Sequence, residues 1–420
     1  MKTVSFYTLG CKTNAYDTAY MRSLFLRRGY DVVPFGEAAD IVVVNTCTVT
    51  AVADKKSRAA LRRAAKTGKV IAAGCLSQRN ADGLLGIEGV DAAVGTDDRS
   101  HIVDIAEQLL GGETHINNVH VLDDCAYETM SAASSGDRTR GVIKIQEGCN
   151  NFCSYCIIPY VRGRSRSRRL DDIVSEAQVM ANAGVKELVL TGIHIASYDD
   201  GGHDLADVIC ALGNIANARI RLGSIEPGIL DAVFVQKIAA AHNLCPHFHL
   251  SLQSGSASVL KRMNRHYTPR EYLDFAALLR DTFDAPALTT DIIAGFPCET
   301  PDEHAETMAF VEKAGFARIH VFPYSPREGT KAYSMTPKVP KNIAKARAAE
   351  LIALGDVLEH KYLQSRVGHD AEVLFEERSA AHSPLMEGYS RRYIRVAAAA
   401  HENEIKTVTL SAVCDKIMLD

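Results

Sequence analysis

The sequence predicts an α/β protein in three parts: an N-terminal open parallel sheet covered by helices, a central partial (β/α)6 barrel and a small C-terminal β-barrel. Three observations predict it. Short apolar runs alternate with helical patterns along most of the chain, as in parallel sheets. From Gly141 onward strand–helix units recur at roughly 30–40 residues, the spacing of barrel repeats. From Arg366 the chain changes to short strands separated by turns, which suits a small β-barrel. A length of 420 residues agrees with about three domains at roughly 150 residues each.

In the first part, residues 1–122, Val4–Leu9 reads as a strand and Asn14–Arg28 as a helix. Ile41–Val44 and Lys69–Ala73 are further strands, with a helix through about Lys66 between them. Asp91–Val94 is a weaker fourth strand. Residues 123–137 turn small and polar (Ser131, Ser134, Ser135, Gly136) and read as a linker. The second part, residues 138–365, offers strands at Val142–Gln146, Glu187–Leu190, Arg219–Leu222, His247–Leu252, Leu288–Ile292 and Arg318–Phe322. Six units are fewer than the eight of a closed barrel, so an open six-stranded barrel is expected. A basic, Ala-rich helix from about Pro340 to His360 follows. The last part, residues 366–420, has strands at Ala371–Phe375, Tyr393–Ala397 and Lys406–Leu410.

Composition narrows the class. Hydrophobic residues are 47% and charged residues 23%, which excludes a largely disordered chain. No apolar run approaches the ~20 residues that cross a bilayer. The N-terminus lacks a basic leader and a small-residue cleavage site, so the expected compartment is the cytoplasm, with no membrane partner. Eleven cysteines in a reducing compartment suggest metal or catalysis before disulfides. The net charge of −4 means that any nucleic-acid binding rests on local patches.

The sharpest motif is Cys149-Asn-Asn-Phe-Cys153-Ser-Tyr-Cys156. Thiolates are the usual ligands of iron–sulfur clusters. Three close cysteines can hold three irons of a four-iron cube and leave the fourth open to a substrate or cofactor. The motif follows the first barrel strand at its C-terminal end, where barrel active sites lie. The alternatives are a zinc site completed by a distant His, or packed thiols; no second close ligand pair supports zinc. This motif, in this place, resembles the radical S-adenosylmethionine superfamily. The resemblance implies that S-adenosylmethionine binds the open iron and is cleaved reductively to a 5′-deoxyadenosyl radical, and that Tyr155 packs near the adenine.

Three further cysteines sit in like contexts: Leu9-Gly10-Cys11, Asn45-Thr46-Cys47 and Ala73-Gly74-Cys75. Each lies just past the C-terminal end of an expected strand. In an open parallel sheet those ends share one edge, where ligands bind. The three should therefore converge and hold a second cluster. The alternative is three separately buried thiols. Cys125, Cys210, Cys245, Cys298 and Cys414 show no such pattern.

The other barrel strands end in Thr191-Gly192-Ile193-His194, Ser224-Ile225-Glu226, Gln253-Ser254-Gly255 and Asp291. Thr191, Gly192, Ser224, Glu226, Gln253 and Asp291 could bind the ribose, amine and carboxylate of S-adenosylmethionine. Ser, Thr and Asp after a strand equally often cap the next helix, and His194 could be a core histidine. Tyr160–Arg169 carries five arginines and no acid, and Lys55–Lys69 carries seven Lys/Arg and no acid. Arg162, Arg164, Arg166 and Arg168 are candidate RNA contacts, although a charge run is often only a solvated face. The C-terminal part holds 7 Lys/Arg against 9 Asp/Glu, so any RNA grip there must use one face, around Arg391, Arg392 and Arg395.

Taken together, the three parts resemble the methylthiotransferases over nearly the whole chain. The matching motifs are Thr8-Leu9-Gly10-Cys11-Lys12-Thr13-Asn14, Asn45-Thr46-Cys47-Thr48-Val49-Thr50, Cys149 through Arg164, Ser224–Pro227, Leu252–Ser256, Asp291–Pro297 and Gly388-Tyr389…Tyr393-Ile394-Arg395-Val396. The last looks like a TRAM domain, an RNA-binding barrel. The Leu-Gly-Cys-Lys and Asn-Thr-Cys-Thr-Val-Thr wording looks like the branch that thiomethylates C2 of N6-threonylcarbamoyladenosine 37 in the tRNA anticodon loop. The resemblance implies two [4Fe–4S] clusters, S-adenosylmethionine, a sulfur source and an electron donor such as flavodoxin or ferredoxin. The alternatives are a methylthiotransferase acting on an aspartate of a ribosomal protein or on N6-isopentenyladenosine 37, and a non-catalytic iron–sulfur electron carrier that binds RNA. A further option is a radical enzyme whose N-terminal cysteines bind no metal.

Overall fold

The computed structural model describes residues 2–123, 125–131 and 139–420. The N-terminal sheet contains β1 (Thr3–Thr8), β2 (Asp31–Val33), β3 (Ile41–Thr46), β4 (Lys69–Gly74), β5 (Val90–Val94) and β6 (Ile116–Asn118). Its order is β2-β1-β3-β4-β5-β6, with every pairing parallel. β3 is buried along its whole length, because helices cover both faces of a parallel sheet. Met21, Phe25, Val43 and Ile105 pack one face; Val44, Leu61, Leu76 and Leu84 pack the other. The order reverses between β1 and β3, which makes a crevice at their carboxyl ends. Cys11 and Cys47 follow those two strands. The edge strands β2 and β6, three residues each, were not expected, since three residues carry no readable alternation.

Six parallel strands form the partial barrel: β7 (Arg140–Glu147), β9 (Glu187–Gly192), β10 (Arg219–Leu222), β12 (His247–Leu250), β13 (Ala287–Ala294) and β14 (Arg318–Pro323). They match the six expected from the sequence. Two-residue β8 (Arg166–Ser167) lies antiparallel to β7, and two-residue β11 (Ser224–Ile225) pairs with β12. The two halves join where Cys245 N donates to Ile220 O at 2.8 Å. Side chains alternate along each strand. Ile143, Ile145, Leu188, Leu190, Ile220 and Phe248 pack under the helices. The alternate residues, including Lys144, Glu187, Thr191, Arg221, His249 and Asp291, therefore line a polar lumen.

The C-terminal domain is one six-stranded sheet: β15 (Asp370–Arg378), β16 (Met386–Ser390), β17 (Arg395–Ala398), β18 (Ile405–Thr409), β19 (Ala412–Cys414) and β20 (Ile417–Leu419). Its order is β18-β15-β16-β17-β20-β19, antiparallel except for β17–β20. Val373, Phe375, Val396, Val408 and Met418 form its core. It caps the N-terminal end of the barrel. Arg219 donates to Tyr389 O at 2.8 Å and Arg221 to Ser390 O at 3.0 Å. Arg140 and Arg221 lie 4.6 Å and 4.7 Å over the rings of Tyr389 and Tyr393. Glu187 neutralises this layer, accepting from Arg219 at 2.6 Å and Arg221 at 2.7 Å.

Two expectations need correction here. Arg391 and Arg392 are not a free RNA face. Arg391 donates to His242 O and Leu244 O, and Arg392 to Asp284 and Ala285 O. Their guanidiniums satisfy carbonyls at the barrel's lower rim and fasten the domain in place. The expected linker lies partly outside the described residues, at Asp124 and 132–137. Residues 125–131 are packed chain: Tyr127 OH donates to Lys144 O at 2.9 Å, and buried Met130 accepts from Tyr16 OH at 3.0 Å. Burying an aromatic and a thioether outweighed the polar composition around them. Among the described residues no helix is long and apolar enough to cross a membrane.

Candidate active site

The first thiol set grows from the end of β7. Gly148 turns the chain with φ +72°, and a Cβ there would stand 1.9 Å from Arg164 O, so the loop must cross itself closely. Cys149 N then donates to Gly163 O at 3.1 Å and Cys156 N to Cys153 O at 2.9 Å. Donors converge on the sulfurs. Asn151 N–H reaches Cys149 Sγ at 3.4 Å and Arg265 reaches Cys153 Sγ at 3.3 Å. Burial pushes the Cys156 thiol up to about 12, and the nearby Cys153 and Cys149 add to the rise. Thiolates held there therefore need compensating positive charge, as from a metal cluster.

The expected cofactor residues gather around this loop. Glu226 accepts a short hydrogen bond from Asn151, sits 2.7 Å from His194 Nε2 and 3.4 Å from Arg265. Burial works to raise its pKa, but His194 and Arg265 together hold it below the ordinary carboxylate value. His194 N donates to Gln146 Oε1 at 2.7 Å, beside Thr191 and Gly192; a Cβ on Gly192 would meet Gln146 O at 2.9 Å. Gln253 adopts φ +72°, a strained conformation for a side-chain-bearing residue. Its backbone is clamped between Asp291 O and Ile293 N, each at 2.9 Å. Asp291 lies 3.4 Å from His249, and Ser224 is exposed beside it in register with His249. Tyr155 meets the edge of Phe296 at 6.4 Å, in an apolar pocket shared with Tyr324.

The second thiol set forms at the crevice of the N-terminal sheet. Cys11 caps α1 (Lys12–Arg27), Cys47 precedes α2 (Ala51–Ala64) and Cys75 opens α3 (Cys75–Arg79). Asn14 ties the first two loops, donating to Leu9 O at 2.7 Å and Thr46 O at 3.0 Å. Thr46 ties the third, its hydroxyl donating to Ala73 O at 2.6 Å and accepting from Leu76 N at 3.2 Å. Gly10 (φ +109°) brings the backbone so close that a Cβ would lie 3.2 Å from Cys47 Sγ. Burial pushes the Cys75 thiol up to about 11. Among the described residues no three His, Cys, Asp or Glu close to the span of one metal ion. Donors of this kind, thiols with N–H groups aimed at them, fit iron–sulfur cubes.

The two sets meet. Cys75 packs against Ile157 and Val161, the first of which follows Cys156 directly. Across the mouth, Arg327 from the loop after β14 donates to Thr48 Oγ1 at 2.6 Å and Asp54 at 2.8 Å. Lys12, next to Cys11, is within electrostatic reach of Tyr393, Arg221, Arg140 and Glu187. It is open to water yet crowded by protein, and burial lowers its pKa. It forms no salt bridge among the described residues.

The arginine run also needs correction. Arg162 and Arg168 are buried. Arg168 binds Glu176 and, at 3.1 Å, Tyr16 OH. Arg166 bonds Arg162 O and Arg164 O. Arg164 is exposed, 4.7 Å over the Phe152 ring, and so is Arg169 at the end of the run. A run of arginines on one short loop cannot all face water when two domains close over it. Lys55, Lys56, Arg62 and Lys66 of α2 and its extension are exposed, and α2 begins at the mouth, where Ala51 N donates to Ser325 at 3.3 Å. Sequence reasoning missed Arg265, Asn151 and the buried charges around Arg162, because nothing in the spacing marks them.

Comparison with known proteins agrees with this geometry. The Radical SAM superfamily profile matches residues 143–311, and that of Uncharacterized protein family UPF0004 matches residues 3–95. The chain is 38% identical to threonylcarbamoyladenosine tRNA methylthiotransferase MtaB of Bacillus subtilis (strain 168), over 96% of this chain and 92% of that one. The chain belongs to the methylthiotransferase family of radical S-adenosylmethionine enzymes. It is also 33% identical to the tRNA-2-methylthio-N(6)-dimethylallyladenosine synthase of Geobacillus thermodenitrificans (strain NG80-2), over 92% of this chain and 76% of that one. Among solved structures, the radical S-adenosylmethionine methyltransferase TsrM of Kitasatospora setae shares the fold. Its TM-score is 0.60 at 15% identity, over 79% of this chain and 77% of that one. As a family member, this methylthiotransferase uses S-adenosylmethionine and a [4Fe–4S] cluster and transfers a methylthio group.

Proposed function

We propose that this methylthiotransferase adds a methylthio group to C2 of N6-threonylcarbamoyladenosine 37 in tRNA. Cys149, Cys153 and Cys156 hold the cluster that binds S-adenosylmethionine, and Cys11, Cys47 and Cys75 hold a second. One observation carries the reading: Cys75 of the second set packs against Ile157, the residue that follows Cys156, across the boundary between the two domains. When bound, the clusters and S-adenosylmethionine supply radical chemistry at an unactivated C–H bond and the sulfur to be delivered.

The chain's own residues place and shield these groups. Thr191, Gly192, Ser224, Glu226, Gln253 and Asp291 take the polar groups of S-adenosylmethionine at the strand ends, and Tyr155 with Phe296 flanks its adenine. Lys12, beside Cys11 and in no salt bridge among the described residues, offers a cation that suits a threonylcarbamoyl carboxylate better than a hydrocarbon dimethylallyl group. The exposed basic residues of α2 and Arg164 take backbone phosphates of the anticodon arm. The acidic C-terminal domain, held by Arg391 and Arg392, serves as the barrel's base. A flavodoxin- or ferredoxin-type donor and a sulfur source complete the reaction, and a tRNA substrate places the work in the cytoplasm.

The test is mass spectrometry of tRNA nucleosides from cells with and without the protein. The 2-methylthio mark should vanish from the threonylcarbamoyl nucleoside alone. Loss from the isopentenyl nucleoside would assign the other tRNA branch, and an unchanged profile would point to a ribosomal-protein aspartate.

A further inference from the structure

Arg162 is fully buried, and each of its three nitrogens has a different kind of partner. Nε donates to Cys75 Sγ at 3.2 Å. One terminal nitrogen donates to both oxygens of Glu147, at 2.8 Å and 3.0 Å. The other reaches Asn14 Oδ1 at 2.5 Å and Asp17 Oδ2 at 3.1 Å. These partners belong to different structural units. Asn14 and Asp17 are on α1, Cys75 opens α3, and Glu147 ends β7, two residues before Cys149. One guanidinium thus touches the second thiol set, the helix that starts beside Cys11, and the strand that launches the first set.

The surroundings are charged and dry. Lys144 donates to Asp17 at 2.7 Å and contacts Glu147, while Arg99 lies 3.2 Å from Asp17 and 3.7 Å from Glu147. Three cations face two carboxylates at the centre, with Glu128 pairing Arg99 at the rim at 2.8 Å. Burying so many charges is expensive, and as mere glue it would be no better than apolar packing. Within this group it is Arg162 that also points an N–H at sulfur. Arg265 does the same at Cys153, so each thiol set receives one guanidinium.

We infer that Arg162 is a positioning residue for the second cluster: its N–H···S bond sets that cluster's reduction potential, and its bonds to Glu147 and Asp17 fix the cluster against the first. This rests on the proposal that Cys11, Cys47 and Cys75 hold a cluster. A cationic donor favours the more negative, reduced form of a cluster and so raises its potential. Arg162→Gln removes the charge, and Arg162→Lys keeps the charge but loses the planar fork.

The test uses full-length holoprotein: iron and sulfide counts, EPR-monitored redox titration, and kcat and KM for tRNA. Wild type with about four irons per chain would sink the underlying reading before any variant is compared. Given about eight, Arg162→Gln should shift one cluster to a more negative potential and leave the other in place. Its kcat should fall at least tenfold with KM for tRNA little changed. Arg162→Lys should shift the same cluster part of the way and recover part of kcat. Selective loss of one cluster in both variants, with the other intact, also supports the inference. Two fully loaded clusters at wild-type potentials in either variant would overturn it, and so would loss of both clusters together in Arg162→Lys.

Discussion

Gly74 shows how one residue can decide whether three distant cysteines meet. It holds φ +88°, and an added Cβ would lie 2.3 Å from Asn45 Oδ1 and 2.8 Å from Thr46 O. The strand β4 must end in this conformation for Cys75 to turn toward Cys47. Gly74→Ala should therefore cost about 1–3 kcal/mol from backbone strain alone, and the contact with Asn45 adds to it. Gly29, with φ +83° and nothing within 4 Å of the same virtual atom, provides the control, because Gly29→Ala carries only the backbone cost. Thermal unfolding and iron content decide the matter. Gly74→Ala should melt lower than Gly29→Ala and lose about half its iron; equal melting with full iron would show that the close approach is not required.

Between elements, the joint of barrel and C-terminal domain is built on β12 and the turn after β16. Tyr393 stacks on Tyr389 at 4.7 Å and on His247 at 5.0 Å. Burial, reinforced by Arg221, holds His247 well below its ordinary pKa, and Glu187 only partly offsets this. The sign follows directly. Unfolded, His247 takes a proton below about pH 6.5; folded, it stays neutral, so the unfolded state binds more protons and stability falls as pH drops through 6.5. This residue's share approaches about 1.4 kcal/mol per pH unit. His247→Phe keeps a ring against Tyr393 and lacks the titration. Denaturant unfolding between pH 7.5 and 5.5 should give the variant a shallower decline, and parallel curves would refute the assignment.

For the whole molecule, the decisive quantity is stoichiometry. Two independent cubes require about eight irons per chain. Replacing Cys149, Cys153 and Cys156 by Ala should leave about four, and so should replacing Cys11, Cys47 and Cys75. An electron carrier with two closed clusters would still reduce but would make no 5′-deoxyadenosine from S-adenosylmethionine. The architecture brings the loops that carry both sets to one boundary. The N-terminal crevice and the barrel mouth face each other, with Arg327 and Arg162 tying them, while the C-terminal domain shuts the opposite end.

Local chemistry determined much of this from the sequence alone. Six barrel strands are legible because their apolar alternation sets both period and length, and the cysteines are legible because a thiol directly after a parallel strand can only fall on the carboxyl edge. Short β2 and β6 carry too few residues for a pattern. What only the tertiary structure decided is where each charge points. Tyr160–Arg169 reads as one basic run, yet Arg164 is exposed over Phe152, whereas Arg162 is buried on Cys75, Glu147 and Asp17. The linker's Tyr127 and Met130, and the rim arginines Arg391 and Arg392, were likewise settled by what packs against them. Periodicity fixes which side of its own element a residue takes, but the neighbour on that side comes from a distant part of the chain. A charged side chain's role is set by that neighbour's carboxylate, carbonyl or sulfur.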